Sequence, residues 1–190
     1  MQNKIIQLDF DGTITTTNIG LELQRRFAID SARFECLRRQ FELGTMDTVS
    51  VVQEGWANVK PDIPGLLRMV LQITTFRRGF SLFGQRCRAA GYARIIVSNG
   101  MSFYMEKVIK DLPIIAGQLL VLSDRTIAIL PCDLKLEVAR LLRPDIYIGD
   151  GQTDIEPSTF AQKVYAVKGG KLHHKTNAIP FEDFSEIKLT

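Results

Sequence analysis

The chain has 190 residues, 24 Lys and Arg against 21 Asp and Glu, and a formal net charge of +3, too small an excess to imply a nucleic-acid partner by itself. Its 45% apolar and 24% charged residues exclude a disordered chain and suit one domain of fair size or a core with a small insertion. The cysteines Cys36, Cys87 and Cys132 are odd in number and lack metal-ligand spacing, which argues against a disulfide scaffold or a zinc site and for reduced, mostly buried thiols.

The stretch from Lys4 to Thr15 reads KIIQLDFDGTIT. Ile5, Ile6 and Leu8 form a short apolar run that predicts a buried strand, and the Gly12-Thr13 turn ends it. Asp9 and Asp11 therefore stand at the carboxyl end of a strand, where open α/β sheets place their ligands. Two carboxylates this close repel each other, so keeping both ionised calls for hydrogen bonds or a cation. A hard, oxygen-seeking ion such as Mg²⁺ meets that need.

From about Asn18 to Thr74 the apolar spacing is helical, through Leu21, Leu23 and Phe27, then Phe34, Leu37 and Phe41, then Val49, Val52 and Trp56, then Leu66, Leu67, Val70 and Leu71. Asp30-Ser31, Gly44 with Asp47, and Pro61 to Pro64 supply caps and turns between three or four short helices. Helix and strand then alternate. A helix carrying Phe80, Phe83 and Cys87 stops at Gly91, Ala93 to Val97 is a strand, and Ser102 to Lys110 is a helix. Leu119–Leu122 and Thr126–Leu130 read as a hairpin around Ser123-Asp124-Arg125. A helix over Lys135–Leu142, a strand over Asp145–Gly149, a short helix over Ile155–Phe160 and a strand over Val164–Val167 follow. The tail from His173 is polar with a few aromatics and is expected to dock on the core, with His173 and His174 at the surface. This order predicts an α/β fold: a parallel sheet with helices on both faces and a helical block inserted after the first strand.

The strands ending at Asp9, Ser98 and Asp150 each run into a polar residue and a glycine or turn, D-F-D-G-T, S-N-G and G-D-G-Q-T-D. Side by side, their carboxyl ends would bring three distant loops to one crevice. The first and last of these resemble the D-x-D-G-T and G-D-x-x-x-D motifs of the haloacid dehalogenase-like phosphatases. Ser98-Asn99-Gly100 resembles the second motif, and Lys135, fifteen positions before Asp150, matches the family's lysine.

The resemblance implies a Rossmann-like core over 1–15 and 76–190, a helical cap over 16–75, and Mg²⁺-dependent hydrolysis of a small phosphorylated metabolite. It implies Asp9 as nucleophile, Asp11 as acid and base, and Lys135 with Ser98, Asn99 and Gly100 around the phosphoryl group. Asp9, Asp150 and the backbone carbonyl of Asp11 would hold the metal, with Thr13 and Asp154 orienting the site. Within the family, D-F-D-G-T-I-T, S-N-G-M-S-F-Y and I-P-F-E-D-F look closest to the 2-hydroxy-3-keto-5-methylthiopentenyl-1-phosphate phosphatases of the phosphoserine phosphatase branch. Asn18 stands where a phosphoserine phosphatase carries a glutamate, and no arginine lies near Gly55, which argues against phosphoserine. Arg77-Arg78-Gly79-Phe80 departs from the usual Pro-Gly-Phe. A phosphotransferase or mutase of the same superfamily and a catalytically silent metabolite-binding regulator remain alternatives. The basic residues Arg68, Arg77, Arg78, Arg86, Arg88 and Arg94 read mostly as solvated helix faces, because aromatic residues do not interleave with them in a single-strand-binding pattern, though one or two could meet an anionic substrate. The N-terminal stretch has no secretory pattern and no apolar run nears the ~18 residues of a membrane span. A cytoplasmic protein, monomer or homodimer, without nucleic-acid or membrane partners is expected.

Overall fold

A computed structural model describes residues 4–189. The apolar run at the start forms β1 (Lys4–Leu8), with Ile6 and Leu8 fully buried. It is the centre of a seven-stranded sheet ordered β4-β3-β2-β1-β5-β6-β7. The flanking strands are β2 (Tyr92–Met101) and β5 (Ile146–Gly149), both parallel to β1. Outside them lie β3 (Ile114–Val121) on one side and β6 (Lys163–Val167) and β7 (Ile179–Phe181) on the other, again parallel. Among the described strands only β4 (Thr126–Ile129) runs antiparallel, as the second strand of the expected hairpin with β3. The α/β architecture read from the sequence is present.

Four helices follow β1 before the chain returns to the sheet: α1 (Ile19–Arg26), α2 (Ser31–Glu42), α3 (Thr48–Ala57) and α4 (Ile63–Ile73). Asn18, Asp30, Asp47 and Asp62 cap their first turns through side-chain oxygens, which is why each helix begins where it does. The outgoing and returning chains meet at an antiparallel bridge between Thr15 and Phe76, flanked by Thr16 N–H to Thr75 C=O and Arg77 N–H to Ile14 C=O. The block packs against the sheet and the helix that follows β2 through Trp56. Trp56 of α3 stacks on Tyr104, and the Thr126 hydroxyl donates to the carbonyl of Trp56.

The remaining helices are α5 (Phe80–Ala89), α6 (Ser102–Val108), α7 (Leu134–Leu142), α8 (Ile155–Ser158) and α9 (Lys171–Lys175). Some expectations need correction. The strand expected to stop at Val97 continues to Met101 through a register shift, so Asn99-Gly100 lies in an irregular strand end. The tail does more than dock. It adds β7 at the sheet edge and buries Phe181, Phe184 and Ile187. Leu71 is exposed, since α4 turns Leu66 and Val70 inward instead. Cys36 is also exposed, on the solvent side of a helix that buries Phe34 and Leu37, while Cys87 is buried and Cys132 is intermediate; all are free thiols. His174 is exposed, and half-buried His173 accepts the Gly169 N–H through Nδ1. Among the described residues no helix is long and apolar enough to cross a membrane.

Candidate active site

The carboxyl ends of β1, β2 and β5 face one cleft of about 570 Å³, lined on the sheet side by Asp9, Asp11, Ser98, Lys135 and Asp150. Asp9 is held by its own backbone, its N–H bonding to Ile148 C=O on β5. Its Oδ1 lies 2.7 Å from Lys135 Nζ and its Oδ2 accepts the Thr13 hydroxyl at 3.1 Å. The same hydroxyl lies 3.2 Å from Asp150 Oδ1, so Thr13 bridges two strands' carboxylates.

Gly12 makes this turn possible. It has φ +81, and a Cβ there would lie 2.5 Å from Asp150 Oδ2. Any larger residue would meet both backbone strain and the carboxylate.

Lys135 enters from the first turn of α7, which Asp133 caps. Its ammonium also reaches Asp154 Oδ1 at 2.8 Å and the Thr153 hydroxyl at 3.2 Å. Asp154 is fully buried and its oxygens are all engaged. The Tyr147 hydroxyl donates to Oδ1, and the N–H groups of Asp150 and Gly151 donate to Oδ2. Asp154 therefore fixes the loop that carries Asp150 and anchors the lysine.

Oxygens of Asp9, Asp150 and Asp154 lie within 4.8 Å of one another. Burial pushes the Asp9 carboxyl well above its usual range against the pull of Lys135, and burial with the neighbouring Asp154 pushes Asp150 up to about 6. Burial alone would depress the Lys135 ammonium, but Asp154 and Asp9 more than offset it and hold it raised.

Asp11 goes elsewhere. Its Oδ1 accepts the Ile19 N–H at 2.7 Å and the Gly20 N–H at 3.3 Å, at the start of α1, and its Oδ2 accepts the Tyr104 hydroxyl at 2.5 Å. Burial raises its pKa to about 6, against the opposing Tyr104 hydrogen bond. Its carboxylate is not part of the acidic trio.

Ser98 is buried within β2, three residues before its end, and its hydroxyl oxygen accepts the Gly100 N–H at 3.0 Å. The Asn99 side chain does not point freely into the cleft. Its amide donates to Asp133 Oδ1 and its oxygen accepts the Leu134 N–H, so it secures the helix that carries Lys135.

Three participants escaped the sequence reading. Tyr104 lies within S-N-G-M-S-F-Y, four residues after Gly100, where a Cβ would collide with its hydroxyl. The signal was a glycine four residues before a tyrosine. Arg77 donates from Nε to Thr13 C=O at 2.8 Å and from a terminal nitrogen to Gly12 C=O at 2.6 Å. Burial depresses this guanidinium's pKa, opposed by the charge of Asp150. Tyr147 on β5 reaches Asp154 and gave no sequence signal beyond a polar atom in a buried strand.

The opposite wall of the cleft comes from the helical block and is mostly apolar, with Leu21, Phe34, Leu37, Phe41, Val51 and Val52. Arg38 and Glu42 also line it and pair with each other at 2.9 Å. Asn18, at the position where a glutamate was expected, uses its side-chain oxygen to cap α1.

The chain is 28% identical to a curated 2-hydroxy-3-keto-5-methylthiopentenyl-1-phosphate phosphatase of Brevibacillus brevis, over 87% of this chain and 84% of that protein. Among solved structures it resembles a phospho-aspartyl intermediate analogue of phosphoserine phosphatase, with TM-score 0.80 and 19% identity over 98% of each chain. A substrate-bound phosphoserine phosphatase complex superposes with TM-score 0.81 at 18% identity, covering 98% of this chain and 97% of that one. At such identities these structures speak for the fold. The family model for haloacid dehalogenase-like hydrolases matches residues 6–156, from β1 through the Asp150 loop, and the chain belongs to that family.

Proposed function

We propose that the protein is a divalent-cation-dependent phosphatase that hydrolyses a small phosphorylated metabolite through an aspartyl-phosphate. The observation that carries this reading is the separation of two carboxylates of one turn, Asp9 against Lys135 and Asp11 against Tyr104 and α1. Lys135 and a bound divalent cation would hold Asp9 ionised, while Asp11, outside that acidic trio and raised by burial to about 6, can exchange a proton near neutral pH, the division that acid-assisted nucleophilic displacement needs.

The donor set suits Mg²⁺. Three carboxylates facing one ammonium leave two negative charges uncompensated, the charge of one divalent ion, and the ligands are hard oxygens. Asp9 and Asp150 would hold it; Asp154 has its lone pairs committed. When bound, the ion supplies charge neutralisation for the transferring group.

Asp9 attacks phosphorus in line, forming a carboxylate–phosphorus bond as the ester bond breaks, and the Asp11 proton passes to the leaving oxygen. Asp11, now a carboxylate, takes a proton from the water that attacks the acyl phosphate, releasing inorganic phosphate and Asp9. Lys135 and Ser98 face the phosphoryl oxygens, and Asn99 supports Lys135 from behind. In this reading residues 16–75 act as the cap over a core of 1–15 and 76–190. The apolar cap wall favours a phosphate ester with an uncharged, partly apolar remainder over a zwitterionic amino acid, in keeping with the substrate in the name of the Brevibacillus brevis relative.

A screen of small phosphate esters with Mg²⁺, including phosphoserine and 2-hydroxy-3-keto-5-methylthiopentenyl-1-phosphate, tests this directly. Asp9→Asn is expected to fold as wild type by circular dichroism and to release no phosphate. Turnover by that variant at the wild-type rate refutes the nucleophile.

A further inference from the structure

We infer that Arg77 is a positioning residue for the nucleophile turn, and that it ties the geometry of that turn to the seam where the helical block joins the sheet. Its guanidinium presents a rigid fork of donors, and both prongs are spent on consecutive carbonyls, Gly12 and Thr13. These are turn carbonyls at the bend where Gly12 takes its positive φ, outside any strand ladder. In a trans peptide the C=O and the following N–H point in opposite directions, so holding the Gly12 carbonyl also fixes where the Thr13 N–H points. Thr13 in turn bridges Asp9 and Asp150 through its hydroxyl. Arg77 thus reaches the two carboxylates through one intervening residue.

The position of Arg77 in the chain gives this contact its second end. Its backbone N–H pairs with Ile14 C=O beside the Thr15–Phe76 bridge, the seam between the outgoing and returning chains. The guanidinium also lies 5.9 Å from the ring centroid of Phe181 in β7, so the tail strand supports it from the far side. The neighbouring Arg78 does none of this. Its side chain is 92% exposed and pairs with Asp183 at the surface.

The catalytic half of this inference rests on the phosphatase reading, and the structural half does not. Arg77→Ala and Arg77→Lys, with Arg78→Ala as control, are assayed for kcat and KM on the best substrate of the screen. Hydrogen exchange at the amides of residues 12–15 is followed in parallel. Loss of alignment of an attacking group commonly lowers turnover by up to ~10²-fold, so Arg77→Ala is expected to lose about 10–100-fold in kcat with KM within about threefold of wild type. Free guanidinium salt below its denaturing range is expected to restore part of that rate, and lysine, with a single point of charge, less than half of the clamp. Exchange at 12–15 is expected to quicken while the rest of the sheet keeps its protection. A rise in KM at constant kcat would make Arg77 a substrate contact and overturn the inference, as would unchanged kcat or absence of guanidinium rescue. If wild type hydrolyses no ester tested, the phosphatase reading fails, and unchanged exchange at 12–15 in Arg77→Ala would overturn the clamp independently.

Discussion

Removing Lys135 is the most informative perturbation, because the ammonium is 2.7 Å from Asp9 and 2.8 Å from Asp154 with side chains 6%, 3% and 0% exposed. Lys135→Met keeps the length of the side chain and deletes the charge. Two like charges are then left buried side by side, and breaking a buried pair by deleting one partner typically costs about 3–5 kcal/mol. For a chain of this size each kcal/mol shifts Tm by about 2–4 °C, so the expected loss in EDTA at pH 8 is roughly 6–20 °C.

The deficit should depend on pH with a definite sign. Burial already raises Asp9, and losing the ammonium raises it further. A carboxyl whose folded pKa lies above its unfolded value contributes most at low pH, and that contribution fades as pH climbs through the folded pKa. The variant is therefore expected to approach wild-type stability near ~pH 4, where its carboxyls accept protons, and to fall behind as the pH rises. Thermal melts at several pH values in EDTA, repeated with excess Mg²⁺, measure both the gap and its partial repair by the cation. A gap that stays constant with pH, or a variant as stable as wild type at pH 8, would refute the assignment of Lys135 as the counter-charge to a buried acidic pair.

Tyr104→Phe removes the donor that steadies the ionised form of Asp11, so the Asp11 pKa is expected to rise above about 6. If Asp11 delivers the leaving-group proton, the alkaline limb of kcat/KM against pH moves to higher pH; a limb that does not move separates Asp11 from that step. Cysteine alkylation offers a test that needs no substrate. Exposed Cys36 is expected to react with iodoacetamide at pH 8, while burial holds the Cys87 thiol up at about 11 and keeps it unmodified until denaturant is added, as read by peptide mass spectrometry.

What the sequence made legible were features written locally. An apolar run followed by acid and glycine marked the strand ends at Asp9 and Asp150, aspartates before apolar-periodic segments marked the starts of α2 and α3, and the Pro61 to Pro64 punctuation marked that of α4. What it hid were contacts whose partners are remote or are backbone atoms. Arg77 meets carbonyls 64 and 65 positions away, which carry no side-chain signature at all. The extension of β2 past Ser98 to Met101 was hidden too, because the Met101–Gly117 pairing with β3 that closes it lies beyond a register shift. The strand Ile179–Phe181 was missed because it is short and carries Pro180, an arrangement that a sheet tolerates at its edge.

The different surroundings of Asp9 and Asp11 follow from where the strand stops. Residues two apart in a continuing strand would face the same side, and both carboxylates would compete for Lys135. Here β1 ends at Leu8, and the turn carries Asp11 toward α1 and Tyr104 before Gly12 bends the chain back. The elevation of Asp11 is then a balance. Burial raises its pKa, and the hydrogen bonds from Tyr104, Gly20 and Ile19 lower it. Ile19 and Gly20 are also the residues through which the helical block covers the carboxyl. Lifting that block would remove two donors, which alone would raise the pKa, but it would also readmit water, and burial is the larger of the two effects. An uncovered Asp11 would therefore ionise at lower pH. If Asp11 is the acid, it keeps its proton to higher pH while α1 sits over the turn, so the strength of the acid and the covering of the carboxyl are set by the same contact.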